Sequence, residues 1–299
     1  MNVFVTGVAG YIGGSVATRL VEAGHAVRGL VRSAGKADAV RHFGVEPVLG
    51  TLDDRSLLAA EAHRADAVVN AASSDHGGAV EALVEALAGS GKPLLHTSGS
   101  SIVATDARGE ASDAVFDDDT PFEPIPDKAA RVAIDRHVTG AAARGVRSVV
   151  LCNTLIYGRG LGAHEESVQI PSLARQARRS GVPRHIGPGL NVWSTVHVED
   201  MADLYLLALT GARPGSFMFV ENGEASFRDM VGAIGRALGL GEAQPWPMEA
   251  AVAEWGFERA AYALGSNSRV QEKRARAELG WSPRRPSVLD WIARELPPA

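Results

Sequence analysis

The chain has 299 residues, of which 45% are hydrophobic and 22% charged, values typical of a globular protein that buries a large core. Its 30 basic and 35 acidic residues give a net charge of −5 and are interleaved along the chain, which argues against a nucleic-acid partner. The single cysteine, Cys152, excludes a disulfide framework, and no apolar run is long enough to span a membrane, so we expect a cytoplasmic protein.

The first half of the chain alternates short apolar runs with helical patterns. A strand over Asn2–Thr6 is followed by a glycine-rich turn and by a helix from about Gly14 to Glu22. Because strands that alternate with helices form right-handed βαβ units, the pattern predicts an α/β fold with a Rossmann-type, doubly wound parallel sheet. The other strands of this half are predicted over 25–31, 45–49, 67–71, 93–97 and 146–151.

Three glycines stand between the first strand and the first helix. Gly7, Gly10 and Gly13 are spaced G-x-x-G-x-x-G, a pattern that permits a tight turn, close approach to a pyrophosphate and free amides at a helix N-terminus. The flanking strand and helix are the context that this motif requires. The sequence therefore predicts a dinucleotide site that includes Tyr11 and Ile12, and the alternative is a turn with a purely structural role.

The end of the second strand bears on which dinucleotide binds. NAD-binding chains usually carry an acidic residue there to hold the ribose hydroxyls, but this chain has Val31 followed by Arg32 and Ser33. A guanidinium suits a 2′-phosphate because it donates two parallel hydrogen bonds, and the serine hydroxyl adds a donor. We predict NADP(H), with NAD as the alternative if Arg32 only ends the strand.

Beyond Gly158 the pattern changes. A basic stretch broken by glycines and prolines precedes a further strand and helix, and helical segments with three tryptophans fill the C-terminal third. We predict a dinucleotide-binding domain over 1–158, to which 190–212 returns, and a smaller C-terminal substrate lobe over 159–189 and 213–299. The lobe is expected to cover the carboxyl ends of the strands, where open α/β folds bind ligands.

Four further segments carry a family resemblance. They are AVVNAA at 67–72, IYGRG at 156–160, VHVEDMA at 196–202 and LGWSP at 279–283. With the glycine turn, they resemble the extended short-chain dehydrogenase/reductase superfamily and, within it, the NAD-dependent epimerase/dehydratase group. The resemblance implies an oxidoreductase, epimerase or dehydratase, with Ala71 and Ala72 beside the cofactor. The family's acidic contact to adenine falls on Thr51, which leaves Asp53 as its candidate substitute.

The catalytic pair of that family, Tyr-x-x-x-Lys, is absent from this sequence. In the family the tyrosine exchanges a proton with the substrate, and the lysine lowers its pKa and holds the ribose. Asp127 and Arg131 occupy the matching positions, four apart and so on one helix face. Asp127 is a candidate acid or base, or simply the N-cap of the helix, and Arg131 is a candidate to bind the ribose or a phosphate.

The remaining catalytic candidates carry hydroxyl groups. Alignment of the fifth strand places Gly99 at the family's serine position, so either Ser98 or Ser100 is expected to orient a substrate oxygen, unless both only cap the strand. Tyr157 is a second candidate proton donor, although the family's tyrosine at this turn usually packs. No residue spacing predicts a metal site.

These features predict an NADP(H)-binding oxidoreductase that acts on a small or medium-sized carbonyl or alcohol substrate. A related possibility is epimerisation or dehydration through a transient oxidation. Trp193 stands where sugar-nucleotide members of the family carry an arginine, which argues against a nucleotide-linked substrate. The alternative from another class is a catalytically silent dinucleotide sensor, since the catalytic pair is missing.

Two helices bear on the oligomeric state. Those around 79–89 and 128–144 resemble the helices that form a four-helix dimer interface in the superfamily. Val80, Leu83 and Leu87 form part of an apolar stripe on the first of them. We expect a homodimer, and the alternative is that the stripes cover the sheet.

Overall fold

Parallel strands form the centre of the computed structural model, which describes residues 1–296. The strands of these residues are, in chain order, β1 (Asn2–Thr6), β2 (Ala26–Val31), β3 (Val45–Leu49), β4 (Ala67–Asn70), β5 (Pro93–Gly99), β6 (Val115–Asp117), β7 (Arg147–Asn153), β8 (Leu155–Tyr157), β9 (Arg184–Ile186), β10 (Val192–His197), β11 (Ser216–Val220), β12 (Glu224–Ser226), β13 (Gln244–Trp246) and β14 (Arg269–Gln271).

Helices cover both faces of the central sheet and build most of the lobe. The α-helices of the described residues are α1 (Tyr11–Glu22), α2 (Ala34–Arg41), α3 (Arg55–Arg64), α4 (Gly77–Leu87), α5 (Pro126–Gly140), α6 (Gln169–Ser180), α7 (Val198–Gly211), α8 (Phe227–Ala237), α9 (Met248–Trp255), α10 (Arg274–Leu279) and α11 (Val288–Glu295). Shorter helical segments are the 3₁₀ turns Ser100–Val103 and Ala141–Arg144 and the π-helix Glu258–Leu264. No helix within residues 1–296 is both long and apolar enough to cross a membrane.

The central sheet has seven strands in the order β11-β7-β5-β4-β1-β2-β3, all of them parallel to their neighbours. The chain builds outward from β1 to β3, then returns beside β1 with β4 and builds in the other direction. This arrangement confirms the predicted α/β fold with a doubly wound parallel sheet. The reversal between β1 and β4 opens a crevice at the carboxyl ends of these two strands, which is where such folds bind ligands.

Residues alternate between two hydrophobic cores along each central strand. In β1, Val3 and Val5 pack into the core beneath α1 and α7, while Phe4 packs into the core beneath α3 and α4. In β4, Val69 and Val68 divide in the same way. Both faces of the sheet are therefore buried, which is why its strands are continuous apolar runs in the sequence.

The apolar stripe of α4 faces the sheet. Val80, Leu83 and Leu87 are at most 1% exposed and pack in the same core as Phe4. The stripe therefore covers the sheet, the second of the two roles considered for it, and supplies no apolar surface for a second chain. The homodimer remains a prediction.

The lobe has a core of its own, but its boundary differs from the predicted one. Strand β11 lies within 213–299, the range predicted for the lobe, yet it is the edge strand of the central sheet beside β7. The side chain of Trp281 also packs into the core of that sheet, and its Nε1 donates to the carbonyl of Asp200 at 2.9 Å. Strand β10 pairs instead with β8 and β12 in a separate small sheet.

Candidate functional site

Two cavities meet at the carboxyl ends of β1 and β4. Gly10 and Ala71 line both of them, so they form one continuous cleft. The first cavity has a volume of about 380 Å³ and is lined in addition by Gly7, Ala9, Leu30, Val31, Arg32, Lys36, Leu52, Ala72 and Ser73. The second has a volume of about 430 Å³ and is lined in addition by Tyr11, Ile12, Thr154, Ile156, His164, Glu166, Ser167, Val168 and Gln169.

The predicted glycine turn lies at the junction of the two cavities. Gly7 has a φ of +71°, and a Cβ atom on it would lie 2.3 Å from the carbonyl oxygen of Ala71. A Cβ atom on Gly13 would lie 2.4 Å from the carbonyl oxygen of Gly7. Gly10 is the N-cap of α1 and offers no capping side chain. The first-turn amides of α1 therefore face the cleft without a side-chain acceptor, as a phosphate group requires.

Helix α1 begins at Tyr11, three residues before the predicted start at Gly14. The earlier start places Tyr11 and Ile12 in the wall of the second cavity. The Tyr11 hydroxyl donates to the carbonyl of Gly158 at 2.9 Å, and burial raises its pKa. This hydrogen bond joins the glycine turn to the turn after β8.

Two cationic side chains line the first cavity. Arg32 directly follows β2, and Lys36 stands four residues later in the first turn of α2. Both are exposed, and neither has an ion-pair partner within residues 1–296. Sequence reasoning missed Lys36, although a second basic residue four positions after Arg32 was a usable signal. Ser33 instead caps α2, where its Oγ accepts from the Lys36 amide at 3.5 Å.

Asp53 does not line the first cavity, and its predicted contact with adenine remains a prediction. Its side chain is 87% exposed and lies 3.1 Å from Nε2 of His76. The neighbouring Leu52 lines the first cavity in its place. The wall of the first cavity is therefore apolar at this position.

Arg131 is held by a carboxylate outside the predicted set. Its Nε and Nη2 donate to both carboxylate oxygens of Asp75, at 2.8 and 2.5 Å, and Nη1 donates to the Ser101 Oγ at 3.2 Å. The Arg131 hydrogen bonds lower the pKa of Asp75. A Cβ atom on Gly99 would lie 3.9 Å from Arg131 Nη1, so the aligned serine position faces this guanidinium. The predicted partner of Arg131 is Asp127, but the observed one is Asp75.

Asp127 is neither the N-cap of α5 nor a neighbour of Arg131. The N-cap is Ile125, and Asp127 is the second helical residue, where its carboxylate faces solvent. One oxygen of that carboxylate accepts a hydrogen bond from the hydroxyl of Tyr262, which lies on the π-helix of the lobe. No sequence motif joined these two residues.

The two predicted serines do not reach the cleft. Ser98 is buried, and its Oγ donates to Oδ2 of Asp135 at 2.6 Å. Ser100 is fully buried, and its Oγ lies 2.9 Å from that of Ser268. The hydroxyl that lies beside Arg131 belongs to Ser101, which is half-buried and was not among the predicted residues.

A chain of buried polar groups runs beneath the site. The Thr6 hydroxyl donates to Oδ1 of Asn70 at 2.5 Å, and Nδ2 of Asn70 lies 3.0 Å from Nδ1 of His96. Because Asn70 donates to Nδ1, the neutral imidazole carries its proton on Nε2, the nitrogen that faces Asp135. The chain ends at the Ser98 hydroxyl, on the other oxygen of Asp135.

Tyr157 and Trp193 lie in the interior of the protein and not at the cleft. The Tyr157 hydroxyl donates to the carbonyl of Arg285 at 2.5 Å, and burial raises its pKa. The Trp193 ring is 5% exposed, and its Nε1 donates to the carbonyl of Ser266 at 3.0 Å. Neither side chain lines the two cavities of the cleft, so the position of Tyr157 gives no support to its predicted role as a proton donor.

The polar side of the second cavity comes from the segment after β8. His164, Glu166 and Gln169 line it, and Glu166 forms an ion pair with Arg175 at 2.6 Å. Gln169 donates from Nε2 to the carbonyl of Ala263 at 3.1 Å and so ties the cavity wall to the π-helix. This segment lies within 159–189, part of the range predicted for the substrate lobe.

Comparison with known proteins gives consistent matches. The model of the family described as "NAD dependent epimerase/dehydratase family" matches residues 3–218. The oxidase ucsJ of Acremonium sp. is 32% identical, over 96% of this chain and 94% of its own length. A second relative, from Stigmatella aurantiaca, is the 4-hydroxy-2-methyl-3-oxo-4-farnesyl-3,4-dihydroquinoline-1-oxide ketoreductase. It is 27% identical, over 95% of this chain and 92% of its own length. The structure of dTDP-glucose 4,6-dehydratase from Bacillus anthracis with NAD has the same fold, with a TM-score of 0.78 at 17% identity and coverage of 98% and 96%.

Proposed function

The chain belongs to the NAD dependent epimerase/dehydratase family, and on that premise we propose that it transfers a hydride between NADP(H) and a carbonyl or alcohol group of a small or medium-sized substrate. The observation that carries the proposal is the continuous cleft, in which the glycine turn separates a cation-lined cavity from a cavity closed by the lobe. Such a cleft has room for a dinucleotide along its length and for a substrate at its far end.

The first cavity supports the choice of NADP(H). The first-turn amides of α1 would bind the pyrophosphate, and Arg32 with Lys36 would bind a 2′-phosphate on the adenosine ribose. Val31 offers no carboxylate to a free 2′-hydroxyl. The bound nicotinamide would supply or accept the hydride, and the chain's own residues would orient it and the substrate.

The contacts of Arg131 with Asp75 and Ser101 support a ligand-orienting role for these groups, although neither Arg131 nor Ser101 lines the two cavities. The guanidinium is fixed by Asp75 and by the Ser101 hydroxyl, so it is held in place before a ligand arrives. We assign Arg131 to the ribose or to a phosphate, and Ser101 to a substrate oxygen. Ser101 thus replaces Ser98 and Ser100 in this assignment.

The mouth of the second cavity supports an apolar substrate. Val168 also lines an adjoining cavity of about 470 Å³, which includes Trp255 and Phe257. Val168 and Phe257 are 55% and 58% exposed, so apolar surface is available in this adjoining cavity. The related ketoreductase of Stigmatella aurantiaca is named for a farnesyl-bearing compound. The substrate that we propose is a ketone with an apolar substituent and no nucleotide.

The experiment is a spectrophotometric assay of NADPH and NADH oxidation by the purified protein. The panel contains aliphatic and aromatic ketones, with UDP-glucose and dTDP-glucose as nucleotide-linked comparators. We expect turnover of an apolar ketone with NADPH and none of the nucleotide sugars. Tight dinucleotide binding without turnover of any ketone, or of the matching alcohols with NADP⁺, would overturn the proposal in favour of a sensor. Light scattering on the same sample tests the predicted homodimer.

A further inference from the structure

The chain contains four tyrosines, and one of them differs from the others in what its hydroxyl contacts. The hydroxyls of Tyr11 and Tyr157 donate to main-chain carbonyls, and that of Tyr205 bonds to Thr97 and Asn153 inside the core. The hydroxyl of Tyr262 instead donates to a side-chain carboxylate that faces solvent. It is therefore the tyrosine whose proton is exchanged most readily.

The residue that follows Tyr262 in the chain contacts the wall of the second cavity. The next residue, Ala263, accepts the hydrogen bond from Gln169, which lines that cavity. Ala263 and Val168 line the adjoining cavity together, and Val168 is shared by both. Tyr262 also lies within the π-helix Glu258–Leu264, and helices of this rare type are found frequently at functional sites.

Helix α5 supplies the groups that surround the phenol. Asp127 accepts its hydrogen bond, and the buried Lys128 holds its Nζ 4.5 Å from the centre of the ring. Arg131 follows one turn later on the same helix, against Asp75. A hydroxyl, a carboxylate and a cation thus converge on the start of α5, at the place where the sequence lacks a tyrosine.

We propose that Tyr262 is the acid that protonates the substrate oxygen during ketone reduction and that Asp127 relays a proton to it from solvent. This proposal rests on the hydride transfer proposed above. The hydride of reduced nicotinamide dinucleotide adds to the carbonyl carbon, and the carbonyl π electrons move to the oxygen. That oxygen takes the Tyr262 proton, and the phenolate regains a proton from solvent through Asp127. The products are the alcohol and the oxidised dinucleotide.

Charged groups on three segments determine when the phenol ionises. The hydrogen bond to Asp127 raises the pKa of Tyr262, and the negative charges of Glu258 on the π-helix and Asp106 on the loop before β6 act in the same direction. Lys128 on α5 is the nearby positive charge. The phenol is therefore protonated at neutral pH, as a proton donor must be.

The test compares Tyr262→Phe and Asp127→Asn with Tyr205→Phe, a matched loss of a phenol hydroxyl whose partners, Thr97 and Asn153, lie inside the core. We expect Tyr262→Phe to lower kcat about a hundredfold, the contribution typical of a positioned acid, without changing the affinity for NADPH. Asp127→Asn is expected to lower kcat less and to move the alkaline limb of the pH profile to lower pH. Tyr205→Phe is expected to keep the wild-type kcat.

A second readout needs neither cofactor nor turnover. The ultraviolet absorbance of tyrosinate is followed against pH in the free protein. We expect the tyrosine that ionises first to be absent from the titration of Tyr262→Phe and to ionise at lower pH in Asp127→Asn. A wild-type protein without turnover overturns the proposed function and the acid role together. A wild-type protein that turns over, with an unchanged kcat and pH profile in a folded Tyr262→Phe variant, overturns the acid role alone.

Discussion

Nε2 of His96 lies 3.6 Å from Oδ1 of Asp135, in a part of the protein that solvent does not reach. Burial raises the pKa of Asp135 to about 6 and lowers that of His96 to about 4. Between these values the carboxyl group keeps its proton and the imidazole is neutral. Above them the protein carries a buried carboxylate that Ser98 alone stabilises by a hydrogen bond.

Asp135→Asn tests the carboxyl side of this pair. The raised pKa means that Asp135 stabilises the fold most below its unfolded value near 4, and that this contribution is lost as pH rises through about 6. The variant should therefore gain stability relative to wild type between pH 4 and 6, by up to about 3 kcal/mol because one pKa unit corresponds to about 1.4 kcal/mol. Urea unfolding at several pH values measures the difference.

His96→Gln tests the imidazole side and should show the opposite sign. A lowered pKa means that His96 contributes stability above its unfolded value near 6.5, which is lost as pH falls through about 4. The variant should therefore gain relative to wild type as the pH is lowered. Equal slopes in the two variants would contradict the assignment of the two shifts.

Arg32→Ala and Lys36→Ala test the cation-lined cavity. Each variant should weaken NADPH binding by about 10- to 100-fold, since a hydrogen bond to a charged group is worth about 1.5–3 kcal/mol. NADH lacks the 2′-phosphate, so its affinity should not change. Fluorescence titration with both dinucleotides gives the ratio, and equal losses for NADPH and NADH would show that the two cations act without reading the 2′-phosphate.

Gly7→Ala tests the close approach of the glycine turn to β4, with Gly24→Ala as its control. Both glycines have positive φ, +71° and +82°, but a Cβ atom on Gly24 meets nothing within 4 Å. The control should lose about 1 kcal/mol of unfolding free energy from backbone strain alone. Gly7→Ala should lose more and should also lose dinucleotide binding, because its Cβ atom would displace Ala71. Equal losses of unfolding free energy in the two variants would show that the contact between a Cβ atom at position 7 and Ala71 costs nothing.

Ser101→Ala and Ser98→Ala separate catalysis from stability. Ser101→Ala removes the hydroxyl beside Arg131 and should lower kcat with little change in melting temperature. Ser98→Ala leaves Oδ2 of Asp135 without its donor and should cost about 1–3 kcal/mol of unfolding free energy. The kcat and the melting temperature of each variant are measured together. A loss of kcat in Ser98→Ala alone would contradict the assignment of Ser101 to catalysis and of Ser98 to stability.

What the sequence predicts correctly is local. The α/β fold follows from apolar runs of strand length, and the spacing of Gly7, Gly10 and Gly13 is a property of one turn. The predictions for Ser98 and Ser100 depend on side-chain direction at the end of β5, where Ser98 is buried against Asp135 and a 3₁₀ turn buries Ser100. Successive side chains of a strand point to opposite faces of the sheet, so an error of one residue in the alignment reverses such a prediction.

Contacts between segments that are distant in the chain have no local sequence pattern by which they could be predicted. Asp127 and Tyr262 are 135 residues apart, and Arg131 and Asp75 are 56 residues apart. Each member of these pairs has an ordinary local explanation, as a helix-start carboxylate or a lobe aromatic. Only the packing of the lobe against α5 brings Tyr262 to the start of that helix.

The edge strand β11 and the Trp281 side chain determine how this protein can be divided. A fragment cut at residue 158 or 212 would contain every residue of the glycine turn but would expose the edge of β7 that β11 covers. It would also leave an empty pocket where Trp281 packs against the central sheet. The dinucleotide-binding half is therefore not a portable module, and any fusion that borrows it must keep the chain at least through Trp281.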